Sequence, residues 1–314
     1  MSASEPLDIK NYIGLTGDTP IRFIASDVDG TLVNDAKSVD PEVVNAVRAA
    51  RESGIRVAIA SGRAWHEMDD VIAAMPCLRY FVCTNGAYVM DKEEQKELVH
   101  ISFDKTRAMD LVRKLMTYGV FVEAYVKAEI FGQYPAVGNE TAQAEHFFRP
   151  NIRPFILKTR TMVPDLLAHL ESLPEGPEKI QIFYGDERIR ERILADLRDE
   201  CQGAAIDSKG RERFYDVLES SEGNLEFVLP HTTKGTAVEA LANHWGYTPD
   251  EVMTIGDSEN DLSMIRFASA SVAMGNARDN VKAAARYETT DNNHYGVARA
   301  IYLAIAYNRE LENK

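Results

Sequence analysis

Short apolar runs recur along the first third of the chain, and each ends abruptly in polar residues. Arg22-Phe23-Ile24-Ala25-Ser26-Asp27 is the first, Ile55–Ala60 the second and Tyr80–Cys83 the third; all have the length and residue types of buried strands. Between them the period changes. Asp40-Pro41-Glu42 reads as a helix start, with Asp40 as N-cap and Pro41 at the first helical position. Val43, Val44, Val47 and Ala50 follow at helical spacing until Gly54 supplies a stop, and Ala64–Ala74 is a second helical stretch. Strand, helix, strand, helix, strand predicts parallel βαβ units.

The same rhythm returns near the other end. Lys234–Trp245 reads as a helix closed by Gly246, and Thr248-Pro249-Asp250-Glu251 has capping-box spacing before a strand at Val252–Ile255. A helix through Leu262 and Ile265, a strand at Ser271–Met274 and helices at Asn280–Arg286 and Gly296–Tyr307 complete it. The stretch from about residue 87 to 228 differs. Phe121–Val126 and Ile130–Tyr134 stand at hairpin spacing, and helical patterns at Lys105–Tyr118, Pro164–Leu173 and Glu187–Glu200 lie around them. An α+β module inserted into an α/β core accounts for the break. The expected division is a tail at 1–20, a core at 21–86 and 229–314, and an inserted domain at 87–228.

Composition narrows the function. A chain of 314 residues with 45% hydrophobic and 27% charged residues has the composition of a folded globular protein, and its length suits two domains. The formal charge of −14 argues against a nucleic-acid partner, which Lys and Arg clusters would hold. A small phosphorylated metabolite stays compatible, because local cations override the overall field. Residues 1–20 lack the apolar stretch of a secretory signal and no window is apolar enough to span a membrane, so no membrane partner and a cytoplasmic location are expected. Cys77, Cys83 and Cys201 form neither an even framework nor a metal-spaced pair, which predicts reduced, mostly buried thiols. Nothing in the pattern fixes the oligomeric state.

The strand ends carry the chemistry. In open parallel sheets ligands bind at the carboxyl ends of strands. The first strand delivers Asp27-Val28-Asp29-Gly30-Thr31, the second Ser61-Gly62-Arg63, and a late one Gly256-Asp257-Ser258-Glu259-Asn260-Asp261. In one sheet, Asp27, Asp29 and Asp257 would converge on one cleft beside Ser61. Crowded carboxylates need a cation or a proton, and hard oxygen ligands suit Mg2+. Ser61 and Lys234 can hold the oxygens of a phosphoryl group. Each segment alone has a plainer reading: a surface turn, a helix cap, a solvated lysine, an acidic loop. Their order and placement at strand ends and helix starts outweigh it.

Together these segments resemble the motifs of the haloacid dehalogenase-like superfamily: Asp27-Val28-Asp29-Gly30-Thr31 the first, Ile59–Arg63 the second, Lys234-Gly235 the third, and Gly256–Met264 the fourth. Thr84-Asn85-Gly86 and Met274-Gly275-Asn276-Ala277 add a likeness to its Cof-type phosphatases, which carry a large cap after the third strand. The resemblance implies a doubly wound, Rossmann-like core with an inserted α+β cap and the site between them. It implies a Mg2+-dependent phosphatase of small monoesters such as a sugar phosphate, nucleotide or phosphorylated cofactor. Asp27 would be the nucleophile and Asp29 the general acid and base. The metal would be held by Asp27, the Asp29 carbonyl and Asp257, with Asp261 joining through water or orienting Lys234. Ser61, Gly62, Arg63, Asn85, Lys234 and Asn260 would bind phosphate. A sugar phosphomutase is the alternative, and a non-catalytic sensor of phosphometabolites a more remote one. Arg63 could instead pair with a carboxylate; Trp65, His66 and His231 suit packing or linker roles, and Tyr125, Lys127, Glu129 and Tyr134 are candidates around the cap hairpin.

Overall fold

The computed structural model describes residues 15, 17–127, 129–135, 140–197, 213–219 and 223–313. Along the chain its strands are β1 (Phe23–Ser26), β2 (Arg56–Ala60), β3 (Tyr80–Cys83), β4 (Tyr88–Asp91), β5 (Lys96–His100), β6 (Phe121–Val126), β7 (Glu129–Gln133), β8 (Thr161–Met162), β9 (Lys179–Phe183), β10 (Asp216–Leu218), β11 (Asn224–Val228), β12 (Val252–Gly256), β13 (Ala270–Ala273) and β14 (Tyr287–Glu288). Among the described residues they form two sheets, and the chain separates into two units.

The first unit comprises residues 1–63, 68–99 and 233–314. Its eight-stranded sheet has the order β14-β13-β12-β1-β2-β3-β4-β5. From β14 to β3 every neighbour is parallel; β3 and β4 are antiparallel. The central strands are buried along nearly their whole length, which is why the sequence shows them as unbroken apolar runs rather than alternations. The chain steps outward from β1 to β3 and returns on the other side of β1 as β12. The switch point therefore lies between β1 and β12, whose registered ends are Ser26 and Ile255.

Helix boundaries follow the local signals. Asp40 caps the helix Pro41–Glu52 by accepting from the Glu42 amide. Thr233 and Thr236 form a reciprocal capping box at the start of the helix Lys234–His244, which fixes where Lys234 emerges. The helix expected at Ala64–Ala74 is split, a 3-10 turn at Trp65–Met68 preceding an α-helix at Asp69–Ala74. The Thr248 capping box closes only a 3-10 turn, Pro249–Glu251, because β12 begins at the next residue.

The second unit comprises residues 64–67 and 100–232. The division falls at 99/100 and 232/233 rather than at 86/87 and 228/229, because β4 and β5 continue the first sheet instead of opening the insertion. Its six-stranded sheet has the order β10-β11-β9-β6-β7-β8, largely antiparallel. One face, with Val122, Ala124, Ile180, Ile182, Leu225 and Phe227, packs in an apolar core with the helices Lys105–Met116 and Leu166–Ser172. The other carries Glu123, Tyr125, Lys179, Gln181 and Glu226, all buried. No described helix is long and apolar enough to cross a membrane. Cys83 is buried and Cys77 half-buried, and neither is in a disulfide; Cys201 and most of the 1–20 tail lie outside the described residues.

Candidate active site

Asp27 follows directly from β1, and its N–H donates to the Ile255 carbonyl of β12 at 2.9 Å, so the switch point itself holds its backbone. The side chain is buried. Its Oδ1 accepts from Lys234 Nζ at 2.5 Å, while Oδ2, also buried, has no hydrogen-bond partner. Lys234 Nζ also donates to Asp261 Oδ1 at 2.7 Å. The other Asp261 oxygen accepts from the amides of Asp257 and Ser258, each at 3.0 Å. Asp257 Oδ1 accepts from Thr31 Oγ1 at 3.1 Å. Asp27, Asp257 and Asp261 each place a carboxylate oxygen within 4.8 Å of the others. Three acids thus face one lysine.

The titration behaviour follows. Burial raises the Asp27 pKa well above the carboxylate range, the Asp261 charge adds to it, and Lys234 does not cancel the two. Burial and then Asp261 also raise Asp257, against the Thr31 hydrogen bond. Burial alone would favour a neutral Lys234, but Asp261 and Asp27 outweigh it and keep the ammonium charged.

Gly30 has φ +77°, and an added Cβ would lie 2.6 Å from Asp257 Oδ2. Only glycine lets the loop after Asp27 approach the Asp257 loop this closely. Asp29 lies beyond β1 in this turn, and its carboxylate has other partners than that of Asp27. Arg63 holds it with two hydrogen bonds, Nε to Oδ2 at 2.8 Å and Nη2 to Oδ1 at 2.6 Å, and Lys37 Nζ is 3.4 Å away. Burial pushes the Asp29 carboxyl up, but these two cations outweigh it and hold it below the usual range. Of the two roles open to Arg63, pairing with a carboxylate is the one seen; Asp70 also lies 3.7 Å from its Nη1.

Ser61 is buried at the end of β2, and its Oγ accepts from the Arg63 amide at 3.1 Å, leaving its own O–H free to donate elsewhere. Asn85 adopts a left-handed conformation at φ +54° after β3, and its Oδ1 accepts from Asn260 Nδ2 at 3.3 Å. A Cβ on Gly62 would press on that Oδ1 at 3.0 Å. The first unit therefore brings together Asp27, Lys234, Asp257 and Asp261 as one cluster, Asp29 and Arg63 as a pair, and Asn85 with Asn260 and Gly62.

Sequence reasoning gave no role to Lys37 or Thr31, whose partners are Asp29 and Asp257; Thr31 was visible inside the first motif, whereas Lys37 carried no signal. The candidates in the second unit are placed differently. Tyr125 is buried, donates to Glu123 Oε1 at 2.7 Å and lies 3.1 Å from Arg160 Nη2. Lys127 pairs with Glu175 at 3.1 Å, Glu129 is exposed, and Tyr134 stacks near Phe121 and Phe148. Trp65 is half-buried, while His66 and His231 are exposed.

This arrangement has known counterparts. Residues 24–301 match the haloacid dehalogenase-like hydrolase family. The chain belongs to that family, and it is an enzyme, a phosphatase of phosphate monoesters. Phosphatase YwpJ of Bacillus subtilis is 30% identical over 287 residues, covering 88% of this chain and 98% of its own. The 5-amino-6-(5-phospho-D-ribitylamino)uracil phosphatase YcsE of the same organism is 29% identical over 288 residues, covering 90% and 96%. A crystal structure of a haloacid dehalogenase-like hydrolase from Bacteroides thetaiotaomicron aligns with a TM-score of 0.73 at 27% identity, over 90% of this chain and 98% of that one.

Proposed function

We propose that the chain is a Mg2+-dependent phosphatase of small phosphate monoesters that works through a phosphorylated aspartate at Asp27. The observation that carries this reading is the buried, unpartnered Asp27 Oδ2 beside the carboxylates of Asp257 and Asp261. A buried acid oxygen without a partner is costly, and the groups around it are oxygens only, the donor set of a hard divalent cation. Asp27, the Asp29 carbonyl and Asp257 would hold the ion. Asp261 has both oxygens engaged, on Lys234 and on two backbone amides, so we assign it to orienting Lys234. A bound Mg2+ would neutralise charge on the phosphoryl oxygens and let Asp27 and Asp257 be anionic together.

In the first half-reaction an Asp27 carboxylate oxygen bonds to phosphorus, the bond from phosphorus to the leaving oxygen breaks, and Asp29 delivers a proton to that oxygen. In the second, water attacks phosphorus, Asp29 takes the proton, and inorganic phosphate leaves Asp27 as a free carboxylate. For its first step Asp29 must be protonated, so the Arg63 pair has to loosen as substrate binds. Lys234, Ser61 and Asn260, with Gly62, Arg63 and Asn85 at the same loops, would hold the phosphoryl oxygens. The leaving group is a small metabolite, in keeping with the phosphorylated substrate in the name of YcsE, and its selection falls to the inserted unit.

Phosphate release from a panel of sugar phosphates, nucleotides and phosphorylated cofactors, with Mg2+ and with EDTA, tests this. The expected result is release that needs the metal and is lost in Asp27→Asn. Release that persists in that variant would contradict the nucleophile, and an isomerised sugar phosphate without net release would favour the mutase.

A further inference from the structure

One segment bonds to both loops that carry the acids. Met274–Arg278 runs out of β13, and two of its amides fix it to the Asp257 loop: Met274 N–H donates to the Gly256 carbonyl and Arg278 N–H to the Asp257 carbonyl, each at 3.0 Å. From the middle of this segment Asn276 reaches across. Its Nδ2 donates to the Gly30 carbonyl at 2.8 Å, and its Oδ1 accepts from the Asn292 amide at 3.2 Å. Asn292 is buried and anchors the same loop further on, donating to the Val33 carbonyl and to Asp35 Oδ1, both at 3.1 Å. Asn276 is exposed, yet both ends of its amide are engaged.

The three acids explain why such a brace matters. Ionised carboxylates this close repel, which works against keeping the loops bearing Asp27 and Asp257 together before a cation binds. The direct link between those loops, Thr31 Oγ1 to Asp257 Oδ1, occupies an acid oxygen. The Asn276 bond occupies none. It engages the Gly30 carbonyl, one peptide beyond the Asp29 carbonyl, and so ties the loops together without using any acid oxygen.

We propose that Asn276 is a positioning residue whose amide cross-braces the loop after Asp27 against the Asp257 loop, holding the carboxylates at cation-binding spacing before a cation arrives. This rests on the Mg2+ reading above. Asn276 touches neither metal nor substrate; it acts through the Gly30 peptide. Groups fixed in advance bind more tightly because the ordering cost is not charged to binding.

The test is Mn2+ binding to the metal-free protein, followed by the electron paramagnetic resonance signal of free Mn2+. Wild type is compared with Asn276→Ala, Asn276→Ser and Asn293→Ala. Asn293 bonds to Asp35 at the far end of the same loop, at 3.1 and 3.0 Å, and controls for general loosening. Loss of one such hydrogen bond corresponds to a roughly 3- to 10-fold change in an equilibrium constant. Both Asn276 variants should weaken Mn2+ by about that factor, with melting temperatures near wild type and kcat recovering at saturating metal. Asn293→Ala should leave the Mn2+ affinity unchanged. Unaltered affinity in the Asn276 variants, or equal weakening in Asn293→Ala, would overturn the brace. A wild type that binds no Mn2+ would overturn the metal reading and this inference with it.

Discussion

Each unit buries an ionic cluster, and the two are built to different rules. In the first, Asp27, Asp257 and Asp261 surround Lys234 and one buried acid oxygen has no partner. In the second, Arg160 bonds to Glu67 at 2.6 Å and to Glu123 at 3.0 Å. Tyr125 donates its O–H to Glu123, and the second Glu67 oxygen accepts from the Ala64 amide. Lys179 pairs with Glu226 at 3.3 Å beside it. The carboxylate oxygens of Glu67 and Glu123 all have donors. Buried charge by itself does not mark chemistry. In the first cluster three acids face one lysine and one acid oxygen is left unsatisfied, a combination that a bound cation would complete.

The contrast can be broken by substitution. Asp27→Asn should abolish turnover, by about 10^4-fold or more, because a nucleophile has no substitute. The protein should stay folded, and circular dichroism beside a turnover assay checks both. Asp29→Asn should slow turnover by about 10^3-fold, the scale of a lost general acid and base, with Mn2+ binding retained because its expected metal contact is a backbone carbonyl. Near-normal turnover would mean that another group moves the proton.

Arg160→Met addresses the second cluster. Removing one partner of a buried pair leaves Glu67 and Glu123 uncompensated and should cost about 3–5 kcal/mol of stability. Denaturant unfolding measures it, and Mn2+ affinity of the folded fraction should not change. Unaltered stability with altered turnover would give this cluster a functional role instead.

The smallest expected effect concerns pH. The pKa of Asp27 is raised by folding, so its neutral form stabilises the fold at low pH and that contribution is lost as pH rises through the folded-state pKa. Without metal, Asp27→Asn should therefore melt above wild type at neutral to alkaline pH, with the gap closing as pH falls. A variant less stable than wild type across the range would show that the Asp27–Lys234 pair outweighs the burial cost.

The strands β1, β2, β3, β12 and β13 of the first unit were legible because they are buried and end in chemically distinctive residues, whereas β4 and β5, assigned to the insertion, and the two-residue β14 were not read. Phe23–Ser26 and Tyr80–Cys83 show as unbroken apolar runs, and Asp27, Ser61 and Asp257 stand where they stop. Four strands of the second unit were not read from the sequence; two are short, Thr161–Met162 and Asp216–Leu218, and two, Lys179–Phe183 and Asn224–Val228, were hidden because one face of their sheet is polar and buried. Lys179 and Gln181 in β9 and Glu226 in β11 alternate with apolar residues as solvent-facing positions would, and the ion pair Lys179–Glu226 joins residues far apart in sequence. Arg160 gave no signal, since nothing near it indicates that Glu67 and Glu123 are its partners. Within the site, the pairing of Asp29 with Arg63 could not be read from spacing, because the two stand 34 positions apart on different loops and the sequence does not say which group Arg63 meets.

The central claim is that Asp27 carries the phosphoryl group. Acid quenching during turnover of a labelled substrate, with wild type and Asp29→Asn, followed by peptide mapping, tests it most directly. The account predicts a hydroxylamine-sensitive phosphoryl label on the peptide containing Asp27 and none in Asp27→Asn. Turnover with no label on that peptide at any time point in either protein would contradict it.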